Sequence, residues 1–240
     1  MSSVKWTMFL MHLCGAYLDL FISALSVQYY FLPAAAGYAV GLYTYLGVPV
    51  KWQAYMFIAA ICLAGVSILS FFENRFNIVV RGRTATIFED KRRLLYIASH
   101  YIYAFTFILP VTFTPPEQEF GKAYVRNMLP CIPNFILDNP DFFVFATDIS
   151  LLAWTILIAV VLISSEVVYF FVRIVIYLSS TKAKSQRTYK LQVQFFMALC
   201  VQVCIPLMVI SGPVIYIVYT LYSGHFNQGQ FIDPIDPLSA

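Results

Sequence analysis

Two carboxylates stand inside long apolar stretches of the chain. Asp19 lies near the middle of the apolar run 6–31, and Glu166 lies in the second half of the run 149–178. An ionised carboxylate in such surroundings is costly unless it is neutralised or paired. Each is therefore either an ion or proton site facing the interior of a helix bundle, or a protonated acid bonded to a neighbouring hydroxyl or backbone carbonyl.

A second polar group closes the apolar run 52–72. Glu73, Asn74 and Arg75 follow that run directly. A Glu and an Arg at a helix end, with the Arg paired to its neighbour or to an adjacent helix, can act as a latch between two packings of a bundle. The alternative is a charge pair that only ends a membrane helix among the lipid headgroups.

Proline interrupts the last apolar run, 193–222, near its middle. Pro206 removes one backbone hydrogen bond and crowds the preceding turn, so it kinks a membrane helix that contains it. We expect Pro206 to act as a hinge for the first half of that run, the alternative being static packing.

Other chemistry has little support. The histidines are scattered, with no pair at metal-ligand spacing, and no Gly-x-Ser-x-Gly or phosphate-binding loop occurs. We expect no enzyme, no cofactor and no metal site. Of the five cysteines only Cys131 lies outside the apolar runs, so we expect it to be a free thiol or bonded to another molecule.

The elements that must position these residues are membrane helices. Five apolar runs, each near or above the ~20 residues that cross a bilayer, cover 6–31, 52–72, 94–113, 149–178 and 193–222. A chain that is 60% hydrophobic and only 11% charged is not a soluble domain. The sequence predicts an all-α, polytopic bundle of five spans.

Basic residues show on which side each loop lies. Of the fifteen Lys and Arg residues, eleven fall in the N-terminus, 73–93 and 179–192, and three fall in 32–51, 114–148 and the tail. This asymmetry predicts a cytoplasmic N-terminus and an external C-terminus. The net positive charge of the chain is therefore explained by its topology and does not indicate nucleic-acid binding. The external segment 32–51 is not expected to span, and 114–148, rich in proline, is expected to form an irregular cap.

An ordered set of short segments runs across roughly residues 1–226. It comprises residues 1–6, Leu18-Asp19-Leu20, residues 33–38 and 46–49, Phe72-Glu73-Asn74-Arg75, residues 129–133, 145–148 and 194–196, and Ile205-Pro206-Leu207. The set resembles the nematode serpentine chemoreceptors of class H, a family of seven-helix G-protein-coupled receptors. The polar tail 227–240 departs from that pattern.

The resemblance implies chemoreception through a heterotrimeric G protein, with Glu73, Asn74 and Arg75 at the position of the coupling motif. The five runs then correspond to helices two to six of a receptor domain over 1–226 that is truncated at both ends. A family partner of Cys131 would lie before Met1. The resemblance also implies a multi-pass protein of the plasma membrane, in sensory cilia.

Three functions remain open at this stage. The leading one is a chemosensory receptor that detects a small odorant-like or peptide ligand from outside and moves helices inside. The second is a non-signalling, truncated membrane protein or a modulator of full-length relatives. The third is a transporter or channel subunit using Asp19 and Glu166, against which stands the lack of an inverted repeat.

Overall fold

The computed structural model of the 240-residue chain describes residues 2–31, 34–82, 89–130 and 132–180, with 190, 193–194, 196–197, 200–201 and 219. The helices are α1 Ser2–Leu20, α2 Leu42–Tyr45, α3 Val50–Val79, α4 Lys91–Thr106, α5 Leu109–Phe113, α6 Gln118–Met128, α7 Asn134–Leu137 and α8 Ser150–Ser180. The strands are β1 Val27–Phe31, β2 Ala36–Val40 and β3 Phe143–Val144.

Four helical segments within these ranges are long and apolar enough to cross a membrane: Lys5–Leu25, Val50–Val79, Lys91–Phe113 and Ser150–Ser180. They correspond to the first four apolar runs, and the prediction of a helical, polytopic membrane bundle is confirmed. The fifth run, 193–222, lies largely outside the described residues.

Helix α3 is the centre of the bundle, and it packs against α1, α4 and α8. Half of its apolar span is buried, against about a tenth for α1 and for α8. Near one end of α3 an apolar core joins it to α8, and its fully buried or nearly buried members are Phe71, Phe72, Phe76, Ile174, Leu178 and Phe196. We call this the aromatic cluster.

The end of the first run differs from the sequence prediction. The helix ends in a π-helical turn at Phe21–Leu25, and residues 27–31 form β1, which pairs antiparallel with β2. The segment Val27–Phe31 is rich in β-branched and aromatic residues, which suit a strand. Gly37 permits the close pairing, because a Cβ there would stand 2.3 Å from the carbonyl oxygen of Tyr29.

The segment 114–148, predicted to form an irregular external cap, is more regular than expected. It contains α6, α7 and β3, and β3 completes a three-stranded sheet in the order β1-β2-β3. Prolines at 115, 116, 130 and 133 flank α6 and α7 rather than interrupting them. They therefore mark the ends of the helices, as proline commonly does.

Two helix boundaries also differ. The prediction ended the second span at residue 72, but α3 continues to Val79, so Glu73, Asn74 and Arg75 lie within the helix. The third span is divided at Phe107–Ile108, and Pro110 lies in the first turn of α5. Pro110 cannot donate a backbone hydrogen bond to the preceding turn, which accounts for the break.

Candidate functional site

A stripe of buried polar side chains runs along the second half of α3. Ser67, Ser70, Asn74 and Asn77 recur every three or four residues and are at most 2% exposed. Residues at this spacing share one face of a helix. Buried polar groups need partners. Ser67 Oγ donates to the carbonyl of Ala64 in the same helix at 2.7 Å, whereas Asn74 donates to Thr7 of α1.

Glu73 forms a buried ion pair with Arg93 of α4. Arg93 donates from Nε to Oε1 and from Nη2 to Oε2, both at 2.9 Å. Both side chains are about 5% exposed. This two-point geometry matches the planar guanidinium to the planar carboxylate, and it is the strongest form of an Arg–carboxylate contact.

Two asparagines complete the surroundings of the pair. Asn77 donates from Nδ2 to Oε1 of Glu73, and Asn74 Oδ1 accepts from Arg93 Nη2 at 3.2 Å. Asn74 also donates to the hydroxyl of Thr7 on α1 at 3.3 Å. The polar network of Thr7, Glu73, Asn74, Asn77 and Arg93 therefore joins α1, α3 and α4; we call it the inner network.

Helix α4 brings Arg93 to α3 through its buried stripe. Asp90 caps the helix by accepting from the backbone N–H of Arg92 at 3.1 Å. The buried positions that follow are Arg93, Ile97, His100 and Ala104. The sequence prediction missed Arg93 because it lies in the basic run Lys91-Arg92-Arg93. The helical period could have identified it, because of those three residues Arg93 is the one that lies on the same helix face as Ile97 and Ala104.

Arg75 lies on the other side of α3 from Glu73. Residues two apart on a helix do not face each other, so the two members of the Glu73-Asn74-Arg75 motif point to different neighbours. The Arg75 guanidinium lies 5.9 Å from the ring centroid of Phe71, which belongs to the aromatic cluster. Within the motif, Glu73 thus contacts α4, whereas Arg75 lies against the aromatic cluster.

Glu166 takes part in a second polar group, between α4 and α8. Tyr96 donates its hydroxyl to Glu166 Oε2, and His100 Nε2 lies 3.2 Å from the same oxygen. The other ring nitrogen of His100, Nδ1, lies 2.8 Å from the carbonyl oxygen of Tyr96. We call Tyr96, His100 and Glu166 the α4–α8 triad.

The triad joins α4 to α8 through a single carboxylate oxygen. Glu166 Oε2 is shared by the Tyr96 hydroxyl and the His100 ring, which lie one turn apart on α4.

The comparison with known families decides the identity of the chain. The family described as serpentine type 7TM GPCR chemoreceptor Srh matches residues 1–232. The chain belongs to the Srh chemoreceptor family. No curated protein and no solved structure matches it significantly.

Three other residues of this Srh chain were singled out from the sequence: Asp19, Pro206 and Cys131. Asp19 is exposed on α1, and its backbone carbonyl accepts from Ser23 Oγ at 2.7 Å, whereas the side chain had been expected to face the interior or a polar neighbour. Pro206 and Cys131 lie outside the described residues. Among the residues that the structure describes, no group of acids, histidines and cysteines could hold a metal ion.

The two polar groups give this Srh chain a continuous connection across its inner half. Helix α4 is bound to α3 by Arg93 and to α8 by Tyr96 and His100, within two turns of one another. Glu73 lies roughly 35 Å along α3 from Val50, close to the far edge of a hydrocarbon core of about 30 Å. The inner network therefore lies about one hydrocarbon thickness away from the first residue of α3.

Proposed function

We propose that this chemosensory, receptor-family membrane protein detects a small external ligand and signals to a heterotrimeric G protein by helix movement at Glu73, Asn74 and Arg75. The observation that carries the proposal is the buried, two-point ion pair between Glu73 and Arg93. It holds α4 against α3, and Arg75 lies on the other side of the same helix turn. Movement of α3 relative to α4 thus also moves Arg75.

Two free energies limit how such a switch can open: the cost of separating the ion pair and the coupling that a ligand contributes. Separating a buried ion pair without replacement costs about 3–5 kcal/mol. The coupling that a ligand contributes is typically about 1–3 kcal/mol. Ligand binding alone therefore does not break the Glu73–Arg93 pair. The freed groups need new partners, which water at the helix end and polar groups of a docked G protein supply.

Arg75 is the residue that we assign to contact with the G protein. Its guanidinium rests near Phe71 at the edge of the aromatic cluster, which joins α3 to α8. A change in the packing of α3 against α8 alters how far this cation extends from the cluster. We also propose that Pro206 is the hinge about which the first half of the run 193–222 moves, as the sequence predicts.

The orientation in the membrane follows from the charges. The loops that carry most of the Lys and Arg residues, among them 73–93, lie on the cytoplasmic side of the plasma membrane in this proposal. The inner network is then at the cytoplasmic end, where a G protein docks. An epitope placed at residue 85 should bind antibody only in permeabilised cells, and labelling of intact cells would reverse the orientation.

The signalling proposal is tested by guanine-nucleotide exchange in membranes that contain the chain and a panel of G proteins. Arg93→Ala removes the partner of Glu73 and should raise basal exchange. Adding Arg75→Ala to that variant should abolish the increase while leaving its surface expression unchanged. Arg92→Ala, at an exposed position one residue away, is the matched control and should behave as wild type.

Two results would count against the proposal. Exchange that survives in the Arg93→Ala, Arg75→Ala double variant would remove Arg75 from the G-protein contact. No exchange above background from the wild type and every variant, with normal surface expression, would favour the non-signalling membrane protein.

A further inference from the structure

A cavity of about 290 Å³ opens at the external end of the bundle. It is lined by Val111 and Thr114 at the end of α5, by Phe145 and Asp148 in the segment that leads into α8, and by Leu151 in its first turn. We call it the outer pocket. Its volume is at the lower end of the range for small-molecule sites, so it suits a ligand smaller than a typical drug.

Asp148 is the charged residue of this wall. One of its oxygens, Oδ1, accepts from the backbone N–H of Ser150 at 2.9 Å. This bond and the Ser150 side chain lower the pKa of Asp148 below its usual value, so the carboxylate is ionised at neutral pH. A carboxylate has room for about four hydrogen bonds, so Asp148 keeps acceptor capacity for a ligand.

The rest of the wall is mainly apolar. Val111 and Leu151 are aliphatic, and the ring of Phe145 is held by neighbouring rings, with centroid distances of 5.9 Å to Tyr30 and 5.2 Å to Phe143. The hydroxyl of Thr114 donates to the carbonyl of Pro110 at 2.8 Å, so toward a ligand it offers an acceptor. An anionic carboxylate, a hydroxyl acceptor and an aromatic ring together recognise a positive group.

The surrounding loops carry a net negative charge, the same sign as the carboxylate of Asp148. Among the described residues of the external segments 34–51 and 114–148, five acids stand against three bases: Glu117, Glu119, Asp138, Asp141 and Asp148 against Lys51, Lys122 and Arg126. Such a surface raises the local concentration of cations near the pocket.

We propose that the outer pocket binds a small organic cation, an ammonium group attached to an apolar body. The ammonium pairs with Asp148, and the body lies against Val111, Phe145 and Leu151. The assignment rests on the proposed function only for the side of the membrane that the pocket faces. The same chemistry is carried by a soluble amine and by the ammonium headgroup of a lipid.

A second cavity of about 220 Å³ does not compete for this ligand. It lies between α1, α3 and α4, and its walls include Tyr17, Tyr55, Met56 and Phe105. The hydroxyl of Tyr55 already donates to the carbonyl of Phe105 at 2.7 Å. This wall holds no charged residue that could fix a cation.

Binding can be measured on the purified chain in phosphatidylglycerol nanodiscs, without any G protein. The probe is phenethylammonium, and 2-phenylethanol is its neutral counterpart. Asp148→Asn keeps an acceptor for the Ser150 N–H and removes the charge. Because Asp148 is exposed, we expect the affinity for phenethylammonium to fall by about twofold to fivefold, the effect of an ion pair in contact with water. Asp141→Asn, exposed on the same side, is the matched control.

The outcomes separate the alternatives. Equal affinity in phosphatidylcholine nanodiscs assigns the pocket to a soluble cation, and weaker affinity there assigns it to a lipid headgroup; both support a cation site. No saturable binding of phenethylammonium, or binding unchanged by Asp148→Asn, overturns the proposal. Because nucleotide exchange is not measured, failure of the pocket leaves the Arg75 and Arg93 results standing, and the converse also holds.

Discussion

The two ends of α3 are tied to their neighbours by buried polar groups of different kinds. At the inner end, the carboxylate of Glu73 meets the guanidinium of Arg93. At the outer end, Gln53 is fully buried and neutral: its Oε1 accepts from Ser26 Oγ at 2.6 Å, and its Nε2 donates to the carbonyl of Val48 at 2.7 Å. We call this outer set, with Thr44, the Gln53 cluster.

The difference indicates which end is built to move. A neutral cluster of buried amide and hydroxyl groups resists separation, because each group that loses its partner in a dry interior is costly. Charged groups at a helix end can exchange each other for water or for a partner protein. We therefore expect the outer end to behave as a fixed frame and the inner end as the switch.

The largest effect should come from removing one member of the inner ion pair. Glu73→Ala leaves Arg93 buried and uncompensated, and we expect it to destabilise the fold by about 3–5 kcal/mol. Thermal unfolding in detergent measures this as a lowered Tm. The double variant Glu73→Leu, Arg93→Met removes both charges and should recover most of the loss. A double variant as unstable as Glu73→Ala would contradict the ion-pair account.

A smaller effect is expected at the outer end. Gln53→Ala leaves Ser26 and Thr44 without their shared partner, which should cost about 1–3 kcal/mol in the same unfolding assay. Basal nucleotide exchange should not rise in this variant, because the Gln53 cluster belongs to the frame. If Gln53→Ala activates the receptor as Arg93→Ala does, the distinction between the two ends is lost.

The smallest effect concerns the α4–α8 triad. Tyr96→Phe removes one hydrogen bond to Glu166 and leaves His100 in place. Because Glu166 is partly exposed, we expect a loss of only about 0.5–1.5 kcal/mol, the net value of an ordinary hydrogen bond. A double-mutant cycle with Glu166→Gln should show coupling between the two positions. Additive effects would mean that the short Tyr96–Glu166 contact contributes no stability.

The sequence predicted the helical membrane bundle because the length of an apolar run is a local property of the chain. Apolar runs found the four described spans to within a few residues at most ends, and the family resemblance was confirmed. The strand at Val27–Phe31 was missed because its residues are as apolar as the helix before it, so the sequence shows no boundary between helix and strand. Its assignment depends on pairing with β2, which is a long-range property.

The candidate site was predicted only in part for a similar reason. Glu73 was singled out for the coupling motif and Glu166 as an intramembrane acid; in the structure the partners of both carboxylates come from another helix. No spacing within α3 indicates Arg93, and no spacing within α8 indicates Tyr96 or His100. The roles of Asp19, Arg75, Pro206 and Cys131 stay predictions.

The contact between Gln118 and Val144 has a further consequence for the external sheet. The side-chain amide of Gln118 accepts from the backbone N–H of Val144 at 3.0 Å and donates to its carbonyl at 3.2 Å. Gly121, one turn later, lets α6 approach, since a Cβ there would stand 3.0 Å from Val144. One glutamine thus occupies the place of a neighbouring strand. The outward N–H and C=O of Val144 are therefore already hydrogen-bonded, so β3 does not offer them to the strand of another chain.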